Sequence, residues 1–126
     1  VLAAGALRAD DNQPIDCAKP VTQMDMNICA DRDYQAADKE LNAQYKKTRA
    51  AMVSFDADLK DNLKGAEKAL VKAQRAWVDY RDGECEAEGF AARGGSMEPM
   101  LVSNCLARLA RQRTKELRQI ADGLGN

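Results

Sequence analysis

Histidine is absent from the 126 residues. That excludes imidazole acid–base catalysis, the Ser-His-Asp and Cys-His nucleophile systems, and ordinary zinc sites other than an all-cysteine one. The four cysteines, Cys17, Cys29, Cys85 and Cys105, lie too far apart in sequence for knuckle-type metal ligation. No metal or other cofactor is therefore expected, and an even count at wide spacing in a small chain reads as two disulfides. No apolar run is long enough to cross a membrane. With 19 basic and 20 acidic side chains the formal charge is −1, which gives no global case for nucleic-acid binding. No alternating strand pattern is present either.

What is present is helical periodicity. Residues 1–9 (Val1-Leu2-Ala3-Ala4-Gly5-Ala6-Leu7-Arg8-Ala9) are small and apolar before the chain turns acidic at Asp10-Asp11. They read either as a signal-peptide remnant ending at Ala9 or as a disordered N-terminus. A single domain is expected over 10–122, with 123–126 as a tail. Pro14 and Pro20 mark an extended lead-in. Thr22 is a suitable N-cap with Asp25 three residues on, and Ile28, Tyr34, Leu41, Tyr45 and Met52 recur at helical spacing to about Val53.

Ser54-Phe55-Asp56 is the expected boundary, with a kinked continuation of the helix as the alternative. Leu59, Leu63, Ala66, Leu70, Ala73, Trp77 and Tyr80 then mark a second helix, interrupted only by Gly65. Gly89 and Gly94-Gly95 punctuate a loop, Ser96 is placed to cap a third helix, and Leu101, Val102, Cys105, Leu109, Leu117 and Ile120 line its inner face. The expected fold is all-α: a three-helix, up-down-up bundle with an extended N-terminal lead-in, stapled by disulfides. The preferred pairing is Cys17–Cys29 with Cys85–Cys105. All four cysteines fall at one pole, so Cys29–Cys85 with Cys17–Cys105 is the rival.

Five large polar side chains fall on or beside the core stripes: Asp38, Asn42, Gln74, Arg81 and Arg113. A buried carboxylate requires a partner, so Asp38 is expected to meet an arginine or amide. Asp38, Gln74 and Arg113 fall at similar heights at 1.5 Å per residue. The expected role is a structural polar network that fixes helix register. A group with one carboxylate and no nucleophile or metal shell has no evident chemistry to perform.

The pattern of Cys17, Met26-Asn27-Ile28-Cys29, Tyr34, Ala37-Asp38, Leu41-Asn42 and Tyr45 continues in Ala73-Gln74-Arg75-Ala76-Trp77, Tyr80-Arg81-Asp82, Cys85, Gly94-Gly95-Ser96, Cys105, Arg113 and Leu117. It resembles the bacterial family named after the N-terminal domain of the lysozyme inhibitor LprI, over roughly residues 17 to 120. The resemblance implies an exported, periplasmic or secreted, helical and disulfide-bonded domain; the missing histidine and the absence of paired catalytic groups argue against an enzyme. It carries over no set of inhibitory residues.

Charge is the best remaining functional clue. Residues 1–40 carry four basic and eight acidic side chains and residues 82–98 one and five, whereas residues 41–81 carry nine and five. The up-down-up arrangement gathers the acidic segments at the cysteine-bearing pole. Asp31, Asp33, Asp82, Glu84, Glu86 and Glu88 are the candidate interaction surface there. Glu84, Glu86 and Glu88 lie near a helix end whose dipole disfavours them. A cationic protein such as a lysozyme suits that pole. The leading function is a non-catalytic, protein-binding domain of the cell envelope, a candidate lysozyme or cell-wall hydrolase inhibitor. The alternative is a structural or chaperone-like helical module without inhibitory activity.

Overall fold

The computed structural model describes residues 14–125, so the leader-like segment 1–9 and the Asp10-Asp11 pair lie outside the described residues. Three long helices form the bundle: α1 (Gln23–Ala57), α2 (Ala66–Gly89) and α3 (Glu98–Leu124). Short 3-10 turns, Asp61–Leu63 and Phe90–Ala92, lie in the two connections. The all-α, three-helix arrangement with a stapled lead-in is the one the periodicity predicts.

The Thr22 hydroxyl starts α1 by accepting from the Asp25 amide at 3.0 Å. Of the two alternatives at Ser54–Asp56, a break or a continuation, the helix continues. No glycine or proline interrupts those residues, and α1 runs through them to Ala57. The second helix correspondingly begins at Ala66 rather than near Leu59. Gly65 caps it at φ 141°, a backbone conformation suited to glycine, rather than lying in its interior. The third helix starts at Glu98 after Met97, so Ser96 does not cap it, while Pro99 occupies its first turn.

The largest interface joins α1 to α3, which run in the same direction. Small residues make that approach possible: Ala37 from α1 and Ala107 and Ala110 from α3 are almost fully buried, packed with Leu41, Leu70 and Leu117. Tyr34, Tyr45, Met52 and Trp77 surround this cluster. A second cluster, Cys85, Cys105 and Leu109, lies toward the disulfide, and Trp77 touches both. Tyr80, expected in the core, is 56% exposed.

Two details lock the helices in register. Thr48 is fully buried, and its hydroxyl donates to the Leu117 carbonyl at 2.9 Å while accepting from the Gln44 amide at 3.1 Å. Gly89, the last residue of α2, is buried against α3. A Cβ there would lie 2.6 Å from Val102 Cγ2, closer than any real contact, so only glycine allows α2 to come in this near.

Candidate functional site

The cysteine-bearing end is assembled from the lead-in, the start of α1, the end of α2 and the start of α3. Asp16 organises the lead-in: its carboxylate accepts from the Ala18 amide at 3.0 Å, and its carbonyl accepts from the Lys19 amide. Disulfides join Cys17 to Cys29 and Cys85 to Cys105, and all four cysteines are paired. The Asn27 side-chain amide donates to the Ser96 carbonyl at 2.9 Å, and Gln23 bonds both Asn27 and the Met100 sulfur. The glycine turn is thereby tied to the start of α1.

Of the candidate interaction carboxylates, three are engaged by arginines. Asp33 receives both terminal nitrogens of Arg111, at 2.6 and 3.0 Å. Glu88 takes Arg108 at 2.6 Å, and Asp82 takes its neighbour Arg81 at 2.8 Å. The Arg111 guanidinium holds the Asp33 carboxyl below its ordinary value, against a smaller upward push from burial. Glu98 is likewise held low by the Gly94 amide and by Arg93. Among the described residues no hydrogen bond or ion pair engages the side chains of Asp31, Glu84 or Glu86.

Beside the Cys85–Cys105 disulfide lies a groove of about 340 Å³. Cys85, Val102 and Leu106 contribute its apolar surface, and Asp82, Glu86 and Glu98 its carboxylates. Exposed apolar side chains adjoin this end of the molecule: Val21, Met24, Phe90 and Met97.

The five polar residues of the core stripes separate into distinct groups. Arg113 is 9% exposed; its Nε donates to Gln74 Oε1 at 3.0 Å and its Nη1 to Glu116 at 3.2 Å, while Nη2 is buried without a hydrogen-bond partner. Asp38 does not join them. It is half-buried and accepts from the Asn42 amide at 3.3 Å, one turn away on the same helix. Arg81 lies over the Trp77 ring, 5.4 Å from its centroid, as well as pairing with Asp82. Nearby, burial pushes the Tyr34 phenol above its ordinary value; Arg81 opposes that shift, and Asp38, Asp82 and Asp31 reinforce it.

Sequence reasoning missed the arginines that neutralise this pole. Arg108 and Arg111 are three residues apart on the exposed side of α3. Their spacing was visible, but whether they reach Glu88 and Asp33 depends on helix register, which no single helix encodes.

No group of three or more Cys, Asp or Glu side chains among the described residues is placed to hold a metal ion. No helix among them is long and apolar enough to cross a membrane.

Comparison with known proteins bears on the same residues. The profile of the family described as lysozyme inhibitor LprI matches residues 16–117, a span containing both disulfides, the Gln74–Arg113 pair and the acidic end. An uncharacterized protein of Rhizobium meliloti (strain 1021) is 59% identical over 114 residues, covering 88% of this chain and 82% of its own length. No solved structure matches at a significant level. The description of the matched family names an inhibitor, and the family is non-catalytic. On a profile match over most of its length and a relative of that identity, the chain belongs to the lysozyme inhibitor LprI family.

Proposed function

We propose that the chain is a periplasmic or secreted protein that binds, and thereby inhibits, a cationic cell-wall hydrolase of the lysozyme class through its acidic, cysteine-bearing end. The observation that carries this reading is the unpaired state of Asp31, Glu84 and Glu86. Neighbouring carboxylates at that end, Asp33, Asp82 and Glu88, have arginines of the same chain, whereas among the described residues these have none. Charge left unsatisfied within a molecule is available to a partner of opposite sign. Two disulfides with no free cysteine favour an oxidising compartment. Family membership supplies the class of partner.

The test is surface binding to a purified basic lysozyme at two ionic strengths, followed by a cell-wall lysis assay. The parent should bind and slow lysis. Reversing Asp31, Glu84 and Glu86 to lysine should slow association about tenfold or more at low salt, with much of the difference gone at high salt. No binding of the parent at low ionic strength would end the lysozyme reading.

A second reading rests on a different observation. Val21 is 81% exposed and Met24 59%, with Met97 and Phe90 also open at this end. An apolar surface of that kind suits a structural or chaperone-like module of the envelope. Its binding would be insensitive to salt, the reverse of the first reading.

A further inference from the structure

The opposite end of the bundle is built from the other sign of charge. Between α1 and the first half of α2 lies a groove of about 520 Å³, lined by Arg49, Glu67, Lys68, Val71, Lys72 and Arg75. Its one acid is already satisfied: Glu67 accepts from Arg49 at 2.8 Å. Lys68, Lys72 and Arg75 recur at i, i+4 and i+7, so they share one face of α2, and all three are exposed. Arg49 and the three α2 cations against Glu67 leave a surplus of three positive charges around Val71.

The connection leading into α2 extends this surface. Lys60 and Lys64 flank the 3-10 turn Asp61–Leu63, on which Leu63 stands 60% exposed. Val53 and Phe55, at the end of α1, are 46% and 39% exposed. The acids Asp58, Asp61 and Asp122 of this end temper the charge. Asp56 is occupied by the amides of Gly65, Ala66 and Glu67.

We infer that this end docks on an anionic membrane surface, with phospholipid headgroups against Lys68, Lys72 and Arg75 and with Leu63 dipping into the interface. Charge complementarity selects an anionic partner, and the apolar component selects a bilayer. A hydrated polyanion would satisfy the cations but leave Leu63 in water, whereas an interface accepts both. The α2 stripe spans about 10 Å along its axis and the turn adds a further contact, so several headgroups can be engaged together. Attachment through this end is independent of what the cysteine end binds. Along α2 that end lies about 20 Å beyond the stripe, the rise from Arg75 to Gly89.

Co-sedimentation of the full chain with vesicles tests the inference. Vesicles containing phosphatidylglycerol should bind the chain, vesicles of phosphatidylcholine alone should not, and added salt should release it. Each basic side chain contributes about fivefold to such partitioning, so Lys68→Gln, Lys72→Gln and Arg75→Gln together should weaken it about a hundredfold. Leu63→Ser should weaken binding at every salt concentration. All four positions are exposed, and circular dichroism with a melting curve confirms that each variant folds as the parent does. If the parent binds both vesicle types equally, or the triple variant binds like the parent, the inference is wrong. It is wrong too if inorganic polyphosphate binds tightly, indifferent to Leu63→Ser, while vesicles do not bind.

Discussion

Arg113 and Asp38 were placed by the same periodicity, and their surroundings diverge. Arg113 lies under the core with Gln74 and Glu116 as partners and one nitrogen unsatisfied. Arg113→Ala should cost about 3 kcal/mol in urea unfolding, through lost packing and the stranded Gln74. Replacing the pair together, Arg113→Met with Gln74→Leu, should stay within about 1 kcal/mol of the parent, because an apolar pair needs no partner for a buried nitrogen. Asp38→Ala should shift stability by no more than about 0.5 kcal/mol, since its carboxylate is open to water and held only by Asn42. A loss at Asp38 as large as that at Arg113 would contradict this assignment. Heptad-like spacing placed both residues beside the core, but it does not specify which way a side chain leans. Asp38 is short and can turn outward, whereas Arg113 reaches from α3 to Gln74 of α2. Thr48 shows the converse: a small polar residue serves as a fully buried inter-helix tie.

Helices were legible in their interiors and poorly legible at their ends, and Asp56 shows why. Its carboxylate accepts from the amides of Gly65, Ala66 and Glu67 at 3.0, 2.9 and 3.1 Å. The group that caps α2 therefore belongs to α1, nine to eleven residues upstream. Local capping rules inspect the residues next to a helix start and cannot see it. Those amide bonds hold the Asp56 carboxyl below its ordinary value, and Asp33 and Glu98 are displaced in the same direction. A carboxyl lowered on folding stabilises the native state above its unfolded pKa and ceases to do so as pH falls through the folded one. The bundle should hold its melting temperature from neutrality down to about pH 4 and lose it progressively below. Asp56→Asn should melt lower at neutral pH and show a shallower acid decline. An unchanged acid profile in this variant would remove Asp56 from the account.

Across the whole molecule, the two ends carry different chemistry. The segregation of charge that hints at this was readable by counting residues, because an up-down-up topology stacks alternate segments at alternate poles. How much of the acidic end is cancelled internally by Arg81, Arg108 and Arg111 was not readable, since it depends on how three helices rotate about one another. The two disulfides carry a further consequence, for biogenesis. Each joins neighbours in the order of cysteines along the chain, separated by 12 and 20 residues, and neither encloses the other. Each loop closure is worth about 3 kcal/mol in the chain-entropy account. A polypeptide threaded N-terminus first across a membrane would offer Cys29 to Cys17 while Cys85 is still on the far side, so simple oxidation in order of arrival yields the native product. Maturation should need an oxidase and no isomerase. Reduced chain refolded with a plain glutathione couple should show only the native linkages by peptide mapping, and persistent Cys29–Cys85 species would contradict that expectation.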